Sequence, residues 1–563
     1  MRMHTFALLV SAFSFCSVAA EGSPKVVDLG YIKVQSDLSL VEGVTSFLGV
    51  RYAKAPTGDL RWRAPHAPDT IEGTYNATTM PKQCWQASIT GSAGLSPTNP
   101  FRATKVKKPK KFKKRYSRIR SPRRIKAVKT RDTANVSDED CLFLNVHVPT
   151  KSANLSLLPV IVYMHGGGYD AGNVSLYPVE DFVRSTGFEV VSVSIQYRLG
   201  LFGFLAGKEV HRGGDLNAGL LDQHFALQWV RKHISAFGGD KDKVTIWGQS
   251  AGAGSILQHV VAHRGQTKPP LFRAVLMNSP FLPFQYNYDD AIPERLFSQV
   301  VTQSGCISSH KAPYLECLRT KDAASLLEID TVLGESNFLG SYTFVPVVGG
   351  SFIVESPTTT LLRKQVNGEA LLVSTNTNEG TFFVPGDVLT SNNFTLEEYT
   401  TQLFPRLGEA DIKRAAKIYL AAGAGSVPEQ ASLVMGDCGY TNYRDYHFVL
   451  ILPAIFVALR TTLWRRLVTK DLSFALPPGF NNSDFLNAFQ QSFLSTALSL
   501  NPISGRTQPT ITPSKWSPWA HEYTEMLFNK TEADLPVIRS VSTNQSVLDR
   551  CAFWNSVASI NNQ

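Results

Sequence analysis

The chain has 563 residues, enough to bury a large core, and large α/β enzymes of this length often form one unit, so we expect one domain with long insertions. The formal net charge is +10, but 16 of the 56 Lys and Arg residues lie between Arg102 and Arg131, where there is no Asp or Glu. The remaining 40 basic residues face 46 acidic ones, so most of the chain is mildly acidic. This distribution argues against a protein that binds nucleic acid over its whole surface.

The N-terminus has the order of a secretory signal: Arg2, an apolar run from Phe6 to Val18, and small residues up to Ala20. We therefore predict a signal peptide at residues 1–20, a domain at residues 21–563 and an extracellular protein. No later stretch reaches the length of a membrane span. The most apolar candidate, "FVLILPAIFVAL" at 448–459, contains Pro453 and is interpreted as a buried helix.

The basic run at 102–131 repels itself and has few apolar anchors, so we expect it to be disordered. A patch for nucleic acid or another anionic surface is one alternative. The signal sequence argues against it, and no nucleic-acid partner is expected. A solvated loop, or a segment that correct splicing would remove, would also explain the run.

Six cysteines remain after the signal, an even number that suits disulfides in an oxidising compartment. Cys306 and Cys317 are close enough to close a small loop, but the sequence does not fix the pairing, and six buried thiols remain the alternative. Glycosylation sequons, which are expected at an exposed surface, begin at Asn76, Asn135, Asn154, Asn173, Asn393, Asn481, Asn529 and Asn544.

A strand-rich opening up to about residue 80 is followed by short Val- and Ile-rich runs that alternate with helical segments. This pattern predicts an α/β fold with a mostly parallel sheet covered by helices on both faces. In such sheets, functional groups lie at the carboxyl ends of the strands.

Ser250 lies in "TIWGQSAGAGS", between a predicted strand at Val244–Trp247 and a predicted helix that begins in "AGAGS". Glycines on both sides allow the sharp strand-to-helix turn that exposes a nucleophilic serine, and the helix start offers the amide of Ala251 to an anion. A turn of small residues without function is the alternative.

The segment "MHGGGYDAGN" follows the predicted strand "PVIVYM". Consecutive glycines allow backbone amides to point at one place, as an oxyanion hole requires, and we assign Gly167, Gly168 and Ala251 as its donors. A phosphate-binding loop would need a following Lys-Ser/Thr pair, which is absent. A plain flexible turn would also fit these glycines.

These motifs, with "EDCLFLNVHVP", "SIQYRLGLFGFL" and "TNTNEGTFFV", resemble the type-B carboxylesterases of the α/β-hydrolase superfamily, which also contains cholinesterases and secreted fungal lipases. The resemblance covers nearly all of the mature chain. It implies the α/β-hydrolase fold and a serine carboxylic-ester hydrolase that acts on a small-molecule ester or lipid, with transient contact to a lipid interface. It implies no metal and no cofactor, and it leaves the oligomeric state open.

The resemblance also assigns the acid of the catalytic triad to Glu379 in "STNTNEGT", where a carboxylate would orient an imidazole. A solvated loop glutamate is the alternative. By resemblance, Cys84 pairs with Cys141 and Cys306 with Cys317, leaving Cys438 and Cys551 as a weaker third pair. The basic run then lies inside the Cys84 loop, which is a mobile lid in related lipases.

One family element is missing, because no histidine occurs between Leu459 and Asn501, where the catalytic base is expected. His447 precedes this region and is interpreted as structural, while His521 lies beyond it and is expected at the surface. A serine hydroxyl is a poor nucleophile without a base. A binding protein without catalysis is therefore the alternative function, and a gene sequence shortened at this point would also explain the gap. Gln249, at a position that is glutamate in cholinesterases, argues against choline esters.

Overall fold

The computed structural model describes most of the chain outside its N-terminal segment and several internal stretches. The described residues are 24–37, 42–87, 137–151, 156–308, 313–376, 379–384, 395–423, 425–437, 454–460, 482–504, 515–518, 524–531, 533 and 535–561. The predicted signal peptide, the basic run, Cys438, His447 and His521 lie outside the described residues, and the predictions that concern them stay predictions.

The described strands include a ten-stranded sheet in the order β15-β14-β13-β12-β11-β10-β8-β9-β7-β3. Its strands are β3 (Val44–Arg51), β7 (Phe143–Pro149), β8 (Leu158–Met164), β9 (Val191–Ile195), β10 (Gly239–Gln249), β11 (Ala274–Asn278), β12 (Ala370–Asn376), β13 (Ala454–Arg460), β14 (Thr524–Lys530) and β15 (Pro536–Ser542). The strands from β9 to β14 in this order are parallel, and only the two edges contain antiparallel pairs. The predicted mostly parallel sheet is therefore confirmed.

Central strands are buried on both sides because apolar residues alternate between the faces. Ile161, Tyr163 and Trp247 belong to the core on one face, while Val162 and Ile246 belong to the core on the other. Such strands are continuously apolar in sequence, as the runs "PVIVYM" and "VTIWG" are.

Helices cover both faces, as predicted. They are α1 (Glu180–Ser185), α2 (Gly200–Phe204), α3 (Lys208–Gly213), α4 (Ala218–His233), α5 (Ala251–Val261), α6 (Ala291–Gln303), α7 (Tyr314–Arg319), α8 (Ala323–Glu335), α9 (Pro357–Leu362), α10 (Leu396–Leu403), α11 (Glu409–Ala421), α12 (Val427–Gly436), α13 (Ser483–Ser499) and α14 (Gln545–Asn561). The side chains of α4 and α5 pack in the core with Val162, while α1 and α13 pack on the opposite face, where Phe182 and Phe493 stack on the two sides of Trp247. No described helix is long and apolar enough to cross a membrane.

A smaller sheet contains β1 (Val26–Asp28), β2 (Lys33–Ser36) and β4 (Thr74–Ala77), and β5 (Gln83–Cys84) pairs with β6 (Ser137–Asp138). Two of the implied disulfides, Cys84–Cys141 and Cys306–Cys317, are formed. Cys551 is buried in α14, and the third pair stays a prediction.

The interpretation of residues 448–459 as a buried helix is wrong for the part that the structure describes. Ala454–Arg460 is β13, a central parallel strand between β12 and β14. A short apolar run is typical of a buried strand and of a buried helix alike, so periodicity could not distinguish them. Partner strands far away in the sequence decide the structure here.

One sequon contradicts the expected exposed surface. The Asn173 side chain is only 7% exposed, its Oδ1 accepts a hydrogen bond from Ser175 N at 2.8 Å, and its Nδ2 donates to Gln83 Oε1 at 2.7 Å. Asn76 and Asn544 are exposed as expected.

Candidate active site

Ser250 lies between β10 and α5 at the carboxyl end of the sheet, as the sequence predicted. Its backbone has φ 56° and ψ −126°, a conformation that is strained for a residue with a side chain. Three hydrogen bonds hold it: Ser250 N donates to Asn278 O at 3.0 Å, and Ser250 O accepts from Gly254 N at 2.9 Å and from Phe281 N at 3.1 Å. This is the geometry of a nucleophile elbow.

The glycine next to the elbow is required by a close approach of backbones. A Cβ atom on Gly252 would lie 2.2 Å from Met164 O, at the end of β8, so only glycine allows the start of α5 to contact this strand. The loop that follows β8 lies against the nucleophile, because a Cβ on Gly166 would be 3.1 Å from Ser250 Cβ. The structure thus brings together the two glycine-rich motifs.

The loop of residues 165–172, called the glycine loop from here on, is a compact turn. Asp170 N and Ala171 N both donate to Gly167 O, at 3.1 and 3.0 Å. Gly167 and Gly168 have φ values of +123° and +69°, which are unfavourable for residues with a Cβ. Within the described chain, neither glycine donates its amide to another protein group, and Ala251 is the first residue of α5, so its amide has no acceptor in the helix. The three amides that the sequence assigned to an oxyanion hole thus have no acceptor among the described protein groups.

Glu379 lies just beyond the carboxyl end of β12, two strands away from the elbow. Its Oε1 accepts hydrogen bonds from Ser279 Oγ at 2.5 Å, Asn376 N at 2.7 Å and Asn376 Nδ2 at 3.1 Å. Burial raises the pKa of the carboxyl, and the hydrogen bonds from Ser279 and Asn376 counteract that rise. The described donors all bind Oε1, and none of them binds Oε2.

The acid and the nucleophile are connected through the end of β11. The backbone carbonyl of Asn278 accepts a hydrogen bond from the amide of Ser250, and its side-chain Nδ2 donates to Ser374 Oγ at 2.7 Å. The hydroxyl of its neighbour Ser279 donates to Glu379. Our sequence reasoning missed Ser279 and Asn376. The available signal was that "NS" and "TN" end two of the strands predicted to be parallel, where functional side chains collect.

The histidine that should link Glu379 to Ser250 has no counterpart in the described residues, where no histidine forms a hydrogen bond with Ser250 or Glu379. The order of strands in the sheet indicates where this histidine is expected. Arg460 at the end of β13 lies opposite Asn376 in the register, so the chain leaves β13 beside Glu379. Residues 461–481, which follow, contain no histidine.

His165 begins the glycine loop beside the elbow, but its role is structural. Its ring stacks on Tyr197 with centroids 4.4 Å apart, and its Nδ1 donates to Gly166 O at 3.0 Å. Burial lowers its pKa to about 4, so the ring is neutral at ordinary pH. His165 therefore packs within the glycine loop, and among the described residues it has no hydrogen bond with Ser250.

A cleft lined mainly by apolar side chains includes Tyr342, whose ring packs against Gly168 of the glycine loop. The tyrosine ring is so close to Gly168 that a Cβ there would be 1.9 Å from Tyr342 Cε1. The described residues that line it contain Phe204, Phe284 and Phe344 and include no charged side chain. The cleft therefore favours uncharged, apolar groups.

The residue before the nucleophile, Gln249, accepts a hydrogen bond from Tyr177 Oη at its Oε1, at 3.3 Å. It presents an amide and no charge. Among the described residues, no group of three or more His, Cys, Asp or Glu side chains is arranged to hold a metal ion.

A ten-stranded mixed sheet, helices on both faces and a strained serine between β10 and α5 define an α/β-hydrolase. The sequence profile of the "Carboxylesterase family" matches residues 29–418, so the chain belongs to this family of carboxylic-ester hydrolases, as the sequence predicted.

Curated relatives include fungal and animal proteins. The chain is 28% identical to "Carboxylesterase patB" of Penicillium expansum, over 94% of this chain and 96% of that protein. It is 30% identical to "Secreted lipase 1" of Botryotinia fuckeliana, over 86% of this chain and 85% of the relative. It is 32% identical to a mouse cholinesterase, over 73% of this chain and 63% of that protein.

Among solved structures, that of Aspergillus niger EstA matches with a TM-score of 0.75 and 25% identity, over 97% of this chain and all of that one. This likeness supports the α/β-hydrolase assignment.

Proposed function

We propose that the protein is a secreted carboxylic-ester hydrolase that acts through a serine acyl-enzyme. Ser250 Oγ attacks the ester carbonyl, and the oxyanion that forms accepts hydrogen bonds from the amides of Gly167, Gly168 and Ala251. The alcohol leaves with a proton, and water then releases the acid. The observation that carries the proposal is the strained Ser250 turn with the glycine loop packed against it.

Glu379 holds the base in this mechanism. Its half-buried carboxylate orients a histidine and stabilises the imidazolium, while Ser279 and Asn376 fix the carboxylate itself. No histidine of the printed chain is assigned as that base. The substrate is an uncharged ester or a lipid, as the apolar cleft beside Tyr342 and the amide of Gln249 both favour.

A second candidate is a family member that binds partners without catalysis. The observation that favours it is the absence of a histidine at 461–481, directly after the strand that ends beside Glu379. In a serine protease, loss of the histidine costs about a million-fold in kcat, so a chain without a base would retain only a small fraction of the activity.

One assay on matched proteins separates the candidates. We expect a form with a histidine loop restored after Leu459 to release nitrophenol from a short acyl ester and to be labelled at Ser250 by a fluorophosphonate. Ser250→Ala should lower turnover by about a million-fold and abolish the labelling. The printed chain should show only residual turnover.

Two results would contradict these expectations. Full turnover by the printed chain would mean that a histidine such as His447 or His521 reaches Ser250. If the restored form hydrolyses no ester, the binding protein is the better description.

A further inference from the structure

The glycine loop is held from outside as well as by its own turn. Gly172 closes this turn and packs directly behind the first glycine, because a Cβ on Gly172 would lie 2.2 Å from Gly166 O. Gly166 in turn lies against Ser250. A displacement of Gly172 would therefore move the loop relative to the nucleophile.

Gln86 binds the backbone of Gly172 at two points. Its Nε2 donates to Gly172 O at 2.9 Å, and its Oε1 accepts from Gly172 N at 3.2 Å. One side-chain amide thus satisfies both polar groups of one residue, as a neighbouring strand would. Ala87 N adds a hydrogen bond to Asp170 O at 2.9 Å.

The segment that carries Gln86 is itself fixed. Cys84 is bound to Cys141, and β5 pairs with β6. Gln196 Nε2 donates to Lys82 O at 2.8 Å and to Cys141 O at 2.9 Å, so it joins the two ends of the disulfide loop. Because this segment is fixed, the hydrogen bonds from Gln86 to Gly172 determine the position of the glycine loop as well as stabilising it.

We propose that Gln86 is a positioning residue that holds the glycine loop in the geometry needed to stabilise the oxyanion. This inference rests on the proposed esterase function. The backbone donors of an oxyanion hole act because they are already in place when charge develops. A misplacement of about 1 Å can lower a rate about 100-fold, so a residue that touches no substrate can govern kcat.

The test is Gln86→Met, made in the form with the histidine loop restored after Leu459. This substitution approximately keeps the shape of the side chain and removes both hydrogen bonds. We expect kcat to fall by about 10- to 100-fold with KM within about 2-fold, because the loop acts on the transition state. Amide hydrogen exchange in residues 166–173 should become faster.

The matched control is Gln491→Met on α13, which loses one hydrogen bond to Ser185 O (2.9 Å) on the other face of the sheet. It should leave kcat and loop exchange unchanged.

Gln86→Glu separates positioning from packing by its pH profile. An ionised carboxylate has no hydrogen to donate to Gly172 O, whereas a protonated one does. The activity of this variant relative to the parent should therefore rise as the pH falls toward about 4.3, the ordinary pKa of glutamate.

The proposal is wrong if Gln86→Met keeps kcat within about 2-fold of the parent with unchanged exchange, or if Gln491→Met loses as much activity. If the parent hydrolyses no ester, the proposed function fails by itself. The exchange measurement then still decides whether Gln86 holds the loop.

Discussion

At the scale of single residues, the candidate site depends on hydrogen bonds that hold its backbone and side-chain groups in place. The backbone of Ser250 is strained, and its amide donates a hydrogen bond to the backbone carbonyl of Asn278. The hydroxyl of Ser279 donates a hydrogen bond to Glu379. Gln86 binds the glycine loop, which we propose supplies the oxyanion donors. Each of these hydrogen bonds satisfies a polar group that would otherwise be unpaired.

A prediction at this scale concerns Asn173. Its amide is buried and binds both Gln83 and the backbone of Ser175, so a glycan on Nδ2 would break these contacts beside Gly172. We expect folded, secreted protein to carry no glycan at Asn173 and to carry glycans at the exposed Asn76 and Asn544. Peptide mapping after enzymatic deglycosylation in heavy-oxygen water measures this directly. A largely occupied Asn173 in active protein would contradict the observed packing.

At the scale of elements, three histidines meet where α4 and α5 pack. His224 of α4, His259 of α5 and His263 all place their rings 5.3 to 5.4 Å from the ring of Phe352, and His259 Nε2 donates to Gln223 Oε1 at 3.1 Å. Burial lowers the pKa of each ring, to about 4 for His224, and proximity to the other histidines lowers the pKa of His259 further. The helix that carries His259, α5, begins directly after Ser250.

These shifts predict acid sensitivity. In the unfolded chain a histidine takes up a proton below about pH 6.5, whereas burial lowers the pKa of all three rings in the folded protein, to about 4 for His224. The unfolded state therefore binds more protons in this window, and the free energy of unfolding falls as the pH drops through it. For the mostly buried His224, each pH unit of separation corresponds to about 1.4 kcal/mol.

His259→Gln removes one titrating ring and keeps a donor for Gln223. We expect the variant to lose less stability than the parent between pH 6.5 and pH 4, in chemical unfolding followed by tryptophan fluorescence. The control is His66→Gln, since His66 is exposed. Parallel stability curves for His259→Gln and the parent would show that the cluster does not set the acid sensitivity.

At the scale of the whole molecule, the ten-stranded sheet and its helices form a core to which the basic run at 102–131 is joined through the Cys84–Cys141 loop. The described ends of that loop are tied by the disulfide and by the pairing of β5 with β6. The described residues on the two sides of the run are therefore connected to each other without it.

We expect deletion of Arg102 to Arg131 to lower the melting temperature by less than about 4 °C. A segment with 16 like charges buries too little apolar surface to offset its ordering entropy. Differential scanning calorimetry of the two proteins is the measurement. A larger fall would mean that the run packs on the core.

The sequence by itself determined the elements that depend on local rules. Glycines around Ser250 and after β8 are needed wherever backbones approach closely, and continuous Val- and Ile-rich runs are needed wherever a strand is buried on both faces. These requirements act within a few residues, so they can be recognised in the sequence without a structure. The fold class, the elbow and the glycine loop could be predicted for that reason.

Only the tertiary structure decided the features that depend on partners far away in the chain. Ala454–Arg460 is a strand because β12 and β14 flank it, and Asn173 is buried because Gln83, 90 residues away, receives its amide. Gln86 binds Gly172 across a similar separation, and Ser279 meets Glu379 across 100 residues. Hydrogen bonds of this kind follow from how strands are ordered in the sheet, and no local pattern of residue types encodes that order.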